Sequence, residues 1–363
     1  MTTLEQNKSL GQSTWIDFIQ RSMLESGALE DLIQKGVTGL TSNPTIFQKA
    51  ITSSTDYDTD LRHLYLMGKS PYEIFEMLTV SDIRRACDLL ASTYLSSKGK
   101  DGFASIEVRP SLAYDKDGTI SEAIRLWKLV DRANAMIKVP ATTQGIEALE
   151  VLISKQINVN VTLIFALSTY NNVMDAYING LTKLVSAGID ISQVASVASF
   201  FVSRVDTAID SYLGESSLIR GKAAIANAKL AYAAFERKFN KDNFHELRQL
   251  NAQVQRPLWA STSTKNPNYS DTLYVDNLIG PNSVNTMPPE TLAAVLDHGQ
   301  SSLTINENLD DAANLFTEIE DGGLSITQVT DKLLEDGIAA FSQSFNDVLL
   351  GIQERCQEFT ETS

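Results

Sequence analysis

One lysine lies inside an otherwise apolar run, Ala135-Met136-Ile137-Lys138-Val139-Pro140-Ala141-Thr142. An ammonium group in a buried strand is costly unless it is paired or neutralised. Desolvation lowers a lysine pKa, and a partly neutral amine attacks carbonyl carbon. Two carboxylates sit in comparable runs: Asp17 in Ser13-Thr14-Trp15-Ile16-Asp17-Phe18-Ile19, and Glu107 in Phe103-Ala104-Ser105-Ile106-Glu107-Val108. An amine with two carboxylates in different surroundings suits imine chemistry on a ketone. The amine forms a Schiff base, and the iminium draws electrons from a neighbouring C–C bond. The carboxylates move protons at the attacked carbon and at the hydroxyl beside the bond that breaks. Arg204 and Lys265 add two cations suited to a phosphate, arginine as a bidentate fork and lysine as a point charge.

Each residue also has a plainer reading. Lys138 at a strand end snorkels into water, as most lysines do. Asp17 caps the next helix. Asn43 before Pro44 is a turn residue. Glu107 pairs on the surface with Arg109, and Arg204 with Asp206. Asn160 and Thr162 are satisfied polar groups of the core. No single residue decides the matter; a shared location would.

That location depends on the elements. Strand patterns recur at Ser13–Ile19, Val37–Thr41, Phe103–Val108, the Lys138 segment, Ile157–Ile164, Gln193–Val202, Pro257–Ser261 and Thr272–Val275. Helical patterns separate most of them. The first runs through Leu24, Leu29, Leu32 and Ile33 to Gly36, a good C-cap residue. Others open at Ile46-Phe47 after the loop Ser42-Asn43-Pro44-Thr45, at Pro71, after Ser81-Asp82 and at Ser121, and a long amphipathic one follows Ser168. Eight strand-helix units imply a parallel sheet clothed in helices and, at 363 residues, a (β/α)8 TIM barrel. A doubly wound sheet competes, but no G-x-G-x-x-G follows the first strand and no G-x-x-x-x-G-K-[ST] occurs. The expectation is a single barrel domain over residues 1–363, with a helical insertion at about 205–250 and a helical C-terminal segment from about 289. In such a barrel the strand C-termini face the active site. Asp17, Asn43, Glu107, Lys138, Asn160, Thr162, Ser199 and Arg204 would converge there, joined by Ser261, Thr262, Ser263, Thr264 and Lys265 after the seventh strand.

Composition narrows the function classes. A net charge of −15 argues against nonspecific nucleic-acid binding and against an anionic membrane surface. An anionic substrate then needs local cations. Cys87 and Cys356 are far apart, and His63, His245 and His298 form no cluster, so no metal site and no cofactor are expected. The polar N-terminus has no secretory core and no run reaches a membrane span, so the expectation is a cytoplasmic protein, monomeric or homodimeric.

Three segments carry a family resemblance. Gly39-Leu40-Thr41-Ser42-Asn43-Pro44-Thr45-Ile46-Phe47, Met136-Ile137-Lys138-Val139-Pro140-Ala141-Thr142 and Asn158-Val159-Asn160-Val161-Thr162-Leu163-Ile164-Phe165 resemble the signature segments of transaldolases. The resemblance runs from about Ser9 to the C-terminus. Trp259-Ala260-Ser261-Thr262-Ser263-Thr264-Lys265-Asn266-Pro267 is similar to the longer bacterial subfamily. The resemblance implies metal-free transfer of a dihydroxyacetone unit between sugar phosphates in the non-oxidative pentose phosphate pathway. The donor is sedoheptulose 7-phosphate or fructose 6-phosphate, and the acceptor is glyceraldehyde 3-phosphate or erythrose 4-phosphate. By the same resemblance Lys138 forms the Schiff base and Asp17 handles the donor hydroxyl at the cleaved bond. Glu107 works through a water positioned by Thr162. Asn43, Asn160 and Ser199 bind the dihydroxyacetone portion, and Arg204 binds phosphate. Shorter members carry a second phosphate-binding arginine after the seventh strand; here Lys265 is the candidate, with Ser261 and Thr262 as hydroxyl donors. The strand around Asp17 also departs from the Ala-Asp-Thr type of the shorter forms.

Two alternatives stay open at this level. An aldolase that releases free dihydroxyacetone would use the same lysine; a tyrosine near the water would favour it, and this chain has Phe201. A barrel that binds sugar phosphates without catalysis would not need Lys138, Glu107 and Asp17 together.

Overall fold

Residues 1–361 are described by a computed structural model, with side chains through Phe359. The last two positions of the expected C-terminal helical segment lie outside the described residues. Eight parallel strands close into a barrel in the order of the chain. They are β1 (Gln12–Asp17), β2 (Val37–Thr41), β3 (Ala104–Glu107), β4 (Ala135–Pro140), β5 (Val159–Ile164), β6 (Ser196–Phe201), β7 (Arg256–Ala260) and β8 (Ser283–Met287). Every residue of β4, β5 and β6 is buried. Strands covered by helices outside and filled by side chains inside read as near-continuous apolar runs, which is why their helices and turns mark them better than alternation does.

The interior is packed around Trp15 and Trp259, both fully buried. The Trp15 indole lies so close to Gly39 that a Cβ there would meet it at 2.4 Å, so this position of β2 admits only glycine. At the strand N-termini, Trp15 Nε1 donates to Asp101 at 2.7 Å and Arg256 donates to Ser13 Oγ at 2.8 Å, tying β1 to β7 and to the turn before β3. That end is braced by polar contacts and leaves the opposite end for chemistry.

The eighth strand is a correction. Thr272–Val275 is not a strand; a short helix spans Leu273–Asp276, and β8 is Ser283–Met287. Thr272 donates to the Asp276 carboxylate at 2.7 Å, four residues on, which favours a helical turn despite the β-branched residues. The true strand contains Ser283, Asn285 and Thr286, all buried in the barrel. Polar residues aimed at an interior remove the apolar pattern by which a strand is recognised. The first helical pattern also divides, into Arg21–Glu25 and Ala28–Gln34, at Gly27 with φ +89°.

Between β6 and β7 the chain forms helices Ser203–Asp210, Ala223–Lys238 and His245–Gln249. After β8 come Pro289–His298, Leu309–Asp321 and the 36-residue helix Ile326–Glu361. The last packs on the helices Pro44–Thr52 and Pro71–Ser96 and crosses the C-terminal end of the barrel. Ser344 bonds Thr45 at 2.8 Å, and Arg355 pairs with Asp58 at 2.7 Å. No helix among the described residues is long and apolar enough to cross a membrane.

Candidate active site

Lys138 lies in β4 with its side chain 5 % exposed. Parallel register sets it beside Glu107 of β3 and Asn160 of β5. Three functional side chains thus share one inward-facing row, because neighbouring strands in register present matched positions to the same face. Lys138 Nζ donates to the Ser42 carbonyl at 3.1 Å and stands 3.7 Å from Glu107 Oε2, an ion pair without a hydrogen bond. The Phe341 ring of the C-terminal helix lies over it, its centroid 5.9 Å from Nζ. The amine is enclosed and points into the site; it does not snorkel.

Burial pushes the Glu107 carboxyl up to about 7, with the Asp17 charge adding and the Lys138 charge opposing. That value suits a group that must both give and take a proton at neutral pH. Asp17 ends β1 and is also raised by burial, against the pull of Lys138 and a hydrogen bond donated by Thr41 at 2.7 Å. It caps no helix: the following helix begins after Gln20 without a side-chain cap. Glu107 and Arg109 do not pair either. Arg109 lies 3.2 Å from Glu122 and stacks on Tyr72 at 5.2 Å.

The polar floor is continuous. Ser199 donates to Asn160 Oδ1 at 2.7 Å, and Asn160 Nδ2 donates to Ser105 Oγ at 3.1 Å. Thr162, two residues past Asn160 on β5, is fully buried, and its hydroxyl has no hydrogen-bond partner among the described residues. Neither does Glu107 Oε2. Two buried oxygens without a hydrogen-bond partner, one of them 3.7 Å from the amine, suit a bound water. Asn43 does cap the helix Pro44–Thr52, its Oδ1 accepting from the Ile46 backbone N–H at 3.0 Å, but it also lines the cleft.

One cleft at the strand C-termini collects Asp17, Asn43, Lys138, Ser199, Arg204, Ser261 and Lys265 and encloses about 910 Å³ including its mouth. Arg204 begins the helix after β6 and stacks on Phe201 at 5.5 Å. Its guanidinium is not paired with Asp206. That carboxylate accepts from the Ala224 N–H at 2.7 Å and the Tyr274 hydroxyl at 2.9 Å. Burial lowers the Arg204 pKa, and the Asp336 charge opposes it. Lys265 donates to Ser263 at 2.7 Å. Ser261 stands in the left-handed region at φ +56°, and its hydroxyl lies 2.9 Å from that of Ser203, joining the ends of β6 and β7. A non-glycine residue held there stores strain of the kind found at binding sites.

Thr262 is a correction. Its hydroxyl donates to Asn285 Oδ1 at 3.0 Å and contacts the Thr286 carbonyl at 3.2 Å, inside the barrel wall, so it is not a donor to the cleft.

Sequence reasoning missed Thr41, Ser105, the Ser42 carbonyl, Phe341 and Asp336. Thr41 and Ser42 adjoin Asn43 and were within reach of the same strand-end argument. Phe341 is one apolar position in a long amphipathic helix, and nothing in its surroundings distinguishes it. Among the described residues no group of His, Cys, Asp or Glu is arranged to hold a metal ion.

Comparison with known proteins gives one family. The profile described as transaldolase/fructose-6-phosphate aldolase matches residues 14–352. The chain is 47% identical to a transaldolase of Mycolicibacterium smegmatis over 346 residues, 93% of each chain. It is 43% identical to a transaldolase of Trichodesmium erythraeum over 369 residues, 97% of each. It is 43% identical to transaldolase 2 of a Nostoc species over 363 residues, 95% of each.

Proposed function

The chain belongs to the transaldolase/fructose-6-phosphate aldolase family, and from that premise we infer that it transfers a dihydroxyacetone unit between sugar phosphates through a Schiff base on Lys138. The observation that carries this is the buried amine flanked by the Glu107 carboxylate, with Asp17 in the same cleft.

Lys138 Nζ attacks the C2 carbonyl of a ketose phosphate. Glu107, through water held by the Thr162 hydroxyl, removes a proton from nitrogen and delivers one to the departing oxygen, so water leaves and an iminium forms. Asp17 takes the proton of the C4 hydroxyl. The C3–C4 bond breaks, an aldose phosphate departs, and the electron pair settles as an enamine on the retained three-carbon unit. Asn43, Asn160 and Ser199 bind that unit. An acceptor aldehyde then joins it, Asp17 returns its proton, and water hydrolyses the new imine. With sedoheptulose 7-phosphate and glyceraldehyde 3-phosphate the products are erythrose 4-phosphate and fructose 6-phosphate, a step of the non-oxidative pentose phosphate pathway. Arg204, Lys265 and the Ser261 hydroxyl bind the phosphate. Partners are these sugar phosphates, with neither nucleic acid nor membrane, and the substrates belong to the cytoplasm.

Enclosure of the enamine favours transfer over release. Phe341 covers the lysine, and Phe201, without a hydroxyl, lines the cleft. The test feeds fructose 6-phosphate with and without erythrose 4-phosphate and follows both aldoses and free dihydroxyacetone. Transfer requires turnover that depends on the acceptor. Equal turnover without it makes the protein an aldolase.

A further inference from the structure

We propose that Lys49 is a third phosphate-binding cation of this cleft, holding the terminal phosphate of the sugar substrate together with Arg204 and Lys265. The proposal rests on the transaldolase reading and adds a residue to its specificity.

Lys49 lies on the helix Pro44–Thr52, which Asn43 caps. Lys49 follows Ile46 by three residues and Thr45 by four, so its side chain neighbours both on the helix surface, and all three line the cleft. That face lies opposite Arg204 and Lys265, which come from the segments after β6 and β7. Lys265 lies within electrostatic reach of both other cations. Burial lowers the Lys265 pKa first, and the charges of Arg204 and then Lys49 lower it further. Among the described residues, none of the three is within ion-pair distance of a carboxylate; only the more distant Glu290 favours the charge on Lys265 and Asp336 that on Arg204.

Gathering three cations with no carboxylate at ion-pair distance costs mutual repulsion, which the net negative charge of the chain as a whole offsets only weakly through solvent. A phosphate dianion repays it, with the guanidinium binding two oxygens and the ammonium groups acting as point charges. Lys49 also compensates for the absence of a second arginine after β7. Its helix carries Asn43 at the other end, so one rigid element binds the three-carbon unit and the phosphate of the same substrate at fixed separation.

The experiment uses the full chain and the variants K49Q and K49R. Inorganic phosphate is titrated calorimetrically and as a competitive inhibitor, and steady-state kinetics are compared for fructose 6-phosphate and unphosphorylated fructose. Loss of one charged contact raises the phosphate constants and the fructose 6-phosphate KM roughly tenfold in K49Q, with K49R recovering most of it. The penalty for fructose 6-phosphate exceeds that for fructose by a similar factor. Unchanged phosphate affinity in K49Q, or equal losses with both donors, overturns the proposal. Borohydride reduction of the wild-type protein with fructose 6-phosphate keeps the two readings separate. A Lys138 adduct together with unchanged phosphate affinity in K49Q removes Lys49 alone. Absence of any adduct removes the transaldolase reading, and the phosphate titration still decides whether Lys49 binds the anion.

Discussion

At the scale of single residues, Glu107 is the clearest case of environment setting acidity. Its carboxyl titrates near 4.5 when exposed and about 7 in the fold, because burial outweighs the attraction of Lys138. If it serves the imine steps, kcat/KM has an inflection near pH 7 that vanishes in Glu107→Gln, with the remaining rate lower and flat across that range. The same group costs stability. A carboxyl with a raised folded pKa holds its proton more tightly when folded, so stability falls as pH rises from about 4.5 through about 7 and is then constant. Glu107→Gln should therefore gain stability at pH 8 relative to pH 4, on the order of a few kcal/mol at ~1.4 kcal/mol per tenfold change in proton affinity. Urea melts at the two pH values measure it, and an equal change at both contradicts the assignment. Asp17 has the other proton-transfer role in the proposed reaction. Asp17→Asn is expected to leave imine formation intact while C–C cleavage slows by roughly 10²–10⁴-fold, the usual worth of an acid/base group. Rapid-quench trapping separates the steps, and loss of the imine itself would move Asp17 to the other role. Both acids and the lysine were legible in the sequence, since a charge inside an apolar run is conspicuous. Lys49, on a helix rather than a strand end, carries no such mark.

At the scale of elements, seven strands followed from apolar runs bounded by turns and helix caps, and the eighth did not. Ser283–Met287 places buried polar side chains against Gln12, Thr262 and Thr41 of other strands and loops, whereas Thr272–Val275 has strand-like residues held in a helical turn by Thr272 and Asp276. Side-chain partners overrode propensity in both places. The Ile326–Glu361 helix was legible as a helix, but not its position over the mouth, which depends on Phe341 above Lys138 and on Gly337 against Leu163, where a Cβ would come within 2.8 Å. Phe341→Ala uncovers the amine. Expected are a loss of roughly 3 kcal/mol in stability, as for other buried phenylalanines, and a larger share of free dihydroxyacetone as water reaches the enamine. Denaturant melts and product analysis measure the two effects; an unchanged transfer-to-release ratio would mean that Phe341 only packs.

At the scale of the whole molecule, closure into a barrel is what makes the residue list a site. Asp17 and Lys265 are 248 positions apart in the chain, yet both line one cleft because every strand ends at the same rim. The eightfold alternation made the barrel legible; the plainer readings of Glu107 with Arg109 and Arg204 with Asp206 could be dismissed only once Glu122, Ala224 and Tyr274 were seen to take those partners. The chain's net negative charge repels anions from most of its surface, so in the proposed reaction the cations of the cleft must draw the sugar phosphates to the rim.

Borohydride trapping tests the central claim most directly. The protein is incubated with fructose 6-phosphate, reduced, digested and examined by mass spectrometry, with Lys138→Arg in parallel. The expected result is a dihydroxyacetone-derived adduct on Lys138, drained when erythrose 4-phosphate precedes the reductant, and no adduct or transfer in the folded Lys138→Arg variant. An adduct on another lysine, or near-normal turnover by Lys138→Arg, would contradict it.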